Sequence, residues 1–159
     1  MSNNLRVAAF CFFIVLNSLA YGSLDTIIID QGQDDPVRIA VVPFKIDSEL
    51  SEQINLSDII SFDLVRSGQF QPLASENMLS FPSDADNVFF RDWRILKTDY
   101  LLIGKASLSI DKKVSVFFEL FDVVNERKME TRRFLVDLVN WRDVAHKISD
   151  LVYEQITGI

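Results

Sequence analysis

Val37-Arg38-Ile39-Ala40-Val41-Val42-Pro43-Phe44 is the stretch that decides the fold. Residues 37–42 are apolar on both faces of an extended chain, as in a central strand covered by helices. A short polar loop joins them to Asp58-Ile59-Ile60-Ser61-Phe62-Asp63-Leu64-Val65-Arg66-Ser67-Gly68-Gln69-Phe70-Gln71-Pro72-Leu73. Over residues 56–67 the spacing of Leu56, Ile59, Ile60 and Leu64 predicts a helix with one apolar stripe. Gly68 stands where a left-handed C-cap is wanted, and a short second strand follows. At about 100° per residue Asp63 falls inside the apolar stripe. A carboxylate is tolerable there only if donors or a cation satisfy it, so Asp63 reads as a structural acceptor rather than a catalytic group.

Downstream, a Ser/Asp-rich loop over residues 80–86 leads to a predicted short helix, 88–96, capped by Asn87, with Phe89, Trp93 and Leu96 on its buried face. Three extended segments follow, 100–110, 114–124 and 128–138, separated by Asp111-Lys112-Lys113 and Asn125-Glu126-Arg127, which predicts an antiparallel meander. In the last segment Arg132, Phe134 and Val136 alternate with Arg133, Leu135 and Asp137. The final helix is capped by Asn140 and carries Trp141, Val144, Ala145, Ile148, Leu151, Val152 and Ile156 as one stripe. That stripe should dock across the sheet, each large side chain contributing roughly 1.5–3 kcal/mol on full burial. The expected fold class is therefore α/β (α+β), a mixed, mostly antiparallel sheet packed against two or three helices.

Residues 1–22 read as a signal peptide. Arg6 and the amino terminus give a weakly positive start, residues 7–16 are an apolar run, and Ala20-Tyr21-Gly22 places small residues where a signal peptidase reads them. The run is too short for a membrane-spanning helix, which needs about 20 residues. Cleavage is expected after Gly22, leaving one domain over residues 23–159; the alternative is a buried N-terminal helix. Cys11 is preceded by Phe10, which is too bulky for a lipoprotein signal. Cleavage removes this only cysteine, so the mature chain has no disulfide or thiol chemistry and must be held by packing. It also removes Arg6, making the mature chain one unit more negative than the full sequence at −7. An acidic chain without clustered Lys and Arg argues against nucleic acid.

Little in the chain points to catalysis. The one histidine, His146, lies about 140° around the last helix from Trp141, on the flank of the stripe beside Tyr153. No partner nominates itself for it in the sequence, and it reads as a packing or helix-surface histidine. Zinc would need several His or Cys ligands, and the five glycines form no phosphate-cradling loop. Asp30-Gln31-Gly32-Gln33-Asp34-Asp35 lacks the downstream bidentate Glu of a calcium loop and reads as a turn. Glu119 and Asp122 fall on opposite strand faces and cannot pair. No catalytic residue, metal, cofactor or small-molecule substrate is expected. What remains is interaction surface. Thr26-Ile27-Ile28-Ile29 favours an extended chain near the mature N-terminus. It either adds an edge strand to its own sheet or pairs with a partner's sheet edge.

Several blocks together resemble the TolB N-terminal domain family of the Gram-negative Tol-Pal envelope system. They are Ile29-Asp30-x-Gly32, Val41-Val42-Pro43-Phe44, Ser67-Gly68-x-Phe70, Trp93, Tyr100-Leu101-Leu102-Ile103-Gly104 and Leu120-Phe121-Asp122. Trp141-Arg142, Ala145-His146, Ser149-Asp150, Tyr153-Glu154 and Thr157-Gly158 complete the set. The resemblance implies a periplasmic, non-enzymatic interaction module supporting outer-membrane integrity and cell division, with His146 part of a structural signature. It implies a mixed α/β unit followed by a six-bladed propeller that binds the lipoprotein Pal. It also implies that the mature N-terminus engages TolA, an inner-membrane protein. Carried onto this chain, that epitope is Leu24-Asp25-Thr26-Ile27-Ile28-Ile29-Asp30-Gln31-Gly32-Gln33-Asp34-Asp35, which favours the partner-binding reading of the strand. Two departures stand out: Lys97-Thr98 replaces the family's usual glycine turn, and Asp25-Thr26 is more polar than usual. The chain stops at Ile159, where the propeller would begin, so it is either a fragment or a free-standing domain, and Pal binding is implied only if a propeller follows. A second reading is a stand-alone accessory domain of an outer-membrane secretion or peptidoglycan-synthesis complex. Such domains share a Val-Val-Pro-Phe-like strand, but the absent lipobox and the match after Trp93 speak against this. A third, an exported hydrolase, needs a polar pocket that the residue inventory does not support.

Overall fold

The run at residues 37–42 lies at the centre of the sheet, and its alternate side chains enter two different cores. A computed structural model describes residues 35–159; the leader, its cleavage point and residues 24–34 of the N-terminal epitope lie outside the described residues. The strands are β1 (Val37–Val41), β2 (Lys45–Ile46), β3 (Phe70–Pro72), β4 (Tyr100–Leu108), β5 (Val114–Asp122) and β6 (Arg127–Val136). The helices are α1 (Leu56–Arg66), α2 (Phe90–Ile95) and α3 (Trp141–Thr157), with single 3-10 turns at Ser75–Asn77, Ala85–Asn87 and Leu138–Asn140. Strand order is β3-β1-β4-β5-β6, and β2 pairs with β4 beyond the end of β1. The β1–β3, β1–β4 and β2–β4 ladders are parallel and two or three residues long. The β4–β5 and β5–β6 ladders are antiparallel and run nearly the length of their strands, so the sheet is mixed and mostly antiparallel as expected.

Helices α1 and α3 cover one face. Ile39, Val41, Leu102, Val116, Phe118 and Leu120 of the sheet meet Leu56, Ile60 and Leu64 of α1 and the α3 stripe there. The opposite face of β1 and β4 presents Ala40, Val42, Leu101 and Ile103, which the connection between β3 and β4 covers with Met78 and Trp93. Trp93 is 1% exposed, and its indole N–H has no acceptor among the described residues.

Local chemistry fixes the joints. Pro43 supplies no donor after β1, and the next N–H, that of Phe44, donates to the buried Ser57 Oγ at 2.8 Å. Ser57 Oγ also lies 3.3 Å from the Val42 carbonyl, so one hydroxyl ties α1 to the end of β1. Asn55 caps α1 by accepting from the Asp58 N–H, and Gly68 beyond its end has φ +76°. Gly104 sits against the Phe44 ring, and a Cβ there would lie 2.6 Å from the Phe117 carbonyl oxygen. Lys97 takes φ +57°, the left-handed region, which explains why a glycine turn suits that position.

Three local expectations need correction. The helix expected over 88–96 is α2 alone, six residues long, and Phe89 stands at its N-cap, 66% exposed rather than buried. Asn87 instead ends the preceding 3-10 turn. Asn140 occupies the N-cap position of α3 but makes no side-chain capping bond. On β6 the register jumps from Leu120↔Glu130 to Phe121↔Lys128, so Met129 is the extra residue of a bulge.

Because Ile148 is fully buried and Trp141 is 8% exposed, truncating either to Ala removes a large part of the helix-side core. Urea denaturation should show losses of roughly 2–5 kcal/mol for each.

Asp122 closes the β5–β6 turn: it accepts from the Asn125 backbone N–H at 2.9 Å and from Asn125 Nδ2 at 2.7 Å. Burial pushes its carboxyl up, but these bonds and Arg127 outweigh it and hold the group below the ordinary value of 3.8. A carboxyl depressed on folding stabilises fully above its unfolded value and loses that contribution as pH falls through its folded value. Asp122→Ala should therefore cost about 1–3 kcal/mol near neutrality. The deficit should shrink on acidification below 3.8; a deficit unchanged across that range would contradict the assignment.

Candidate functional site

Of the N-terminal epitope, only Asp35 is among the described residues; it is exposed just ahead of β1. It lines a shallow cleft with Val37, Gly68, Gln69, Ile156 and Thr157, at the C-terminal end of α3. Trp141 opens α3, with the Arg142 guanidinium 4.7 Å from its ring centre.

Asp63 and His146, 83 residues apart in sequence, come together on facing helices. His146 Nδ1 lies 2.6 Å from Asp63 Oδ2, and Ser149 Oγ donates to the same oxygen at 3.2 Å and reaches the Ala145 carbonyl at 3.0 Å. With an acceptor at that distance, the imidazole hydrogen belongs on Nδ1. The Asp63 side chain is 19% exposed and that of His146 56%, so the pair sits at the solvent rim of the α1–α3 seam. It borders an open cleft of roughly 330 Å³ together with Arg66, Ser149, Asp150 and Tyr153. The sequence nominated no carboxylate for His146, and the structure supplies one. Asp63 takes its hydrogen bonds from an imidazole and a hydroxyl rather than from backbone groups.

A carboxylate behind an imidazole also occurs in hydrolases, where the far nitrogen activates a nucleophile. Here Ser149 bonds to the carboxylate oxygen already used by Nδ1, which places the hydroxyl on the wrong side of the ring for that chemistry. The arrangement does what a seam needs: it satisfies a carboxylate that α1 would otherwise press against apolar neighbours. The signal available in sequence was positional, since each residue lay on or beside an apolar stripe. Ser149 stood among the resemblance blocks but carried no assigned role, because a serine inside a helix gives no periodic signal.

Glu119 and Asp122 stay on opposite faces, Glu119 bound to Lys128 and Asp122 to Asn125. Among the described residues no cluster of His, Cys, Asp or Glu is placed to hold a metal, and no helix is long and apolar enough to cross a membrane.

If the rim pair helps hold the seam, His146→Ala should cost less than Ile148→Ala, because His146 is largely exposed. A double-mutant cycle with Asp63→Ala should give a coupling of about 0.5–3 kcal/mol. Additive losses would show that the contact contributes nothing to stability.

The described domain matches known proteins over most of its length. The sequence model of the TolB amino-terminal domain matches residues 25–129. The Tol-Pal system protein TolB of Marinomonas sp. (strain MWYL1) is 41% identical over 131 residues, covering 82% of this chain and 30% of that protein. The Tol-Pal system protein TolB of Pseudomonas aeruginosa is 35% identical over 159 residues, covering 100% of this chain and 36% of that protein. The chain thus spans about a third of the length of these curated relatives. The crystal structure of TolB from Acinetobacter baumannii superposes with a TM-score of 0.66 at 28% identity, over 79% of this chain and 29% of that one. The chain belongs to the TolB amino-terminal domain family.

Proposed function

We propose that this chain is a periplasmic, non-enzymatic interaction module of the Tol-Pal envelope system. It engages a TolA-like inner-membrane protein through residues 24–35 and so supports outer-membrane integrity and cell division. Residues 1–22 direct export and are removed after Gly22, and residues 23–159 act as the domain. Binding of Pal would belong to a propeller following this domain.

Family membership is the observation that carries this reading. Chemistry adds to it. Residues 26–29 are β-branched and suited to strand pairing, and Gly32 in Gln31-Gly32-Gln33 is the residue type a hinge would use. In the cleft beside His146 the Ser149 hydroxyl binds the Asp63 carboxylate and not the imidazole, which supports reading the domain as a scaffold. Ordering a terminal segment on binding offsets part of the contact energy, which keeps the affinity modest.

Deleting residues 23–33 should abolish binding to the periplasmic domain of a TolA-like partner while the thermal transition hardly moves. Ile28→Pro should weaken binding by removing one main-chain donor. The protein used is the exported form, whose intact mass should begin at Ser23. If the deletion unfolds the domain and binding follows only the folded fraction, residues 24–33 are an integral strand and the partner site lies elsewhere.

A further inference from the structure

β6 ends the sheet, and its outer edge is unpaired among the described residues. On a chain of net charge −7 this strand carries Arg127, Lys128, Arg132 and Arg133 against one acid, Glu130. We propose that β6 is a second docking edge, taking as an added strand an extended segment of a partner protein in which acidic and apolar residues alternate.

The centre of β6 specifies that pattern, with Arg133 on one face and Phe134 on the other; Arg132, on the helix-side face, is held by Glu130, and the exposed Leu135 shares the face of Arg133. On the face away from α1 and α3, the Arg133 guanidinium lies 5.2 Å from the Phe117 ring centre, and its Nη1 donates to Ser115 Oγ at 3.2 Å. Lys105 and Lys128 on the same face are held by Asp84 and Glu119. Arg133 has no carboxylate partner among the described residues. A carboxylate on an added strand would find that free guanidinium next to a half-buried aromatic ring, where a charge-assisted bond is stronger than in open water. On the helix-side face, Phe134 and Val136 are half-buried at the rim of the core, and Phe134 stacks on Phe118 at 6.3 Å between ring centres. An apolar residue on the added strand would extend that rim. Since side chains alternate along a strand, acids on one face and hydrophobes on the other form a single period-two sequence.

Charge on an edge strand also discourages self-association. That explanation accounts for cations on β6 but predicts no selective ligand. The proposal concerns β6, three strand positions from β1 in the sheet order, and is separate from the role proposed for residues 24–35.

The test uses the full mature protein and a labelled peptide of alternating Asp and Val, about eight residues long to match one strand. Fluorescence anisotropy should show binding that weakens with salt. It should be absent with the matching Lys-Val peptide and weaker when alternate peptide amides are N-methylated. Arg133→Glu should reduce affinity by about tenfold or more, as expected when a favourable charge contact becomes repulsive. Arg133→Gln, with an unchanged thermal transition, serves as the control for folding. Failure of the Asp-Val peptide to bind would leave β6 a guarded edge and overturn the proposal. So would equal binding of the N-methylated peptide, indifference to both Arg133 substitutions, or preference for phosphatidylglycerol vesicles over the peptide.

Discussion

The strand pair β1–β4 has two apolar faces, and each has to be shielded from water by something else in the chain. Ile39, Val41 and Leu102 look one way, Ala40, Val42, Leu101 and Ile103 the other, and none is more than 4% exposed. At roughly 25 cal/mol per Å² of apolar surface removed from water, leaving either face open would forfeit most of the driving force for folding. The helix-side face carries larger residues and receives two long helices whose stripes interleave. The other face is flatter at Ala40, and there a largely irregular connection suffices. Trp93 is the largest side chain in that cover, with Met78, Val88, Phe90 and Leu96 packed around it. The indole N–H, unpartnered among the described residues, is the compromise that accompanies such a plug.

The same demand explains the polar rim between α1 and α3. Two helices packed on one sheet face also pack on each other, and their seam runs out to solvent along Asp63 and His146. A carboxylate deeper in the seam would carry a large desolvation penalty. At the rim it remains partly hydrated, and the penalty falls while the hydrogen bonds to Nδ1 and Ser149 Oγ persist. An Asp–His contact here marks where a core stops, and it differs from a catalytic pair in having its hydroxyl partner on the carboxylate side.

Long periodic elements were legible in the sequence, and short or distant features were not. β1 was legible as a run apolar on both faces, while α1, the β4–β5–β6 meander and α3 each carry several repeats of their period, enough to phase which side is buried. α2 has only six residues, less than two turns, so Phe89 could not be phased against Trp93, and the preceding 3-10 turn shifted the apparent start. The Met129 bulge leaves no mark because inserting one residue in an exposed edge strand disturbs no buried pattern. The Asp63–His146 contact depends on how α1 and α3 cross, a tertiary fact that neither helix encodes alone. The family resemblance was readable because its marker residues are those with special duties: Gly68 in a left-handed turn, Gly104 under the Phe44 ring, and Trp93 and Trp141 in the two cores.

With two faces of its central strands consumed by packing, the domain cannot use those faces to recognise another protein. Among the described residues its clefts are open, and Phe44, Phe70, Trp93, Phe118, Phe121 and Trp141 are taken up by the cores while Phe62, Phe81 and Phe89 stay exposed. Main-chain edges and chain ends stay open to a partner alongside those side chains. A strand edge offers donors and acceptors at fixed spacing without rearranging a core, and side chains on its two faces add selectivity. A chain end can reorder against a partner while the core stays intact, because the residues that stabilise the core lie elsewhere in sequence. A well-filled two-sided core therefore favours recognition at the margins of the sheet, and the cations gathered on β6 lie on such a margin.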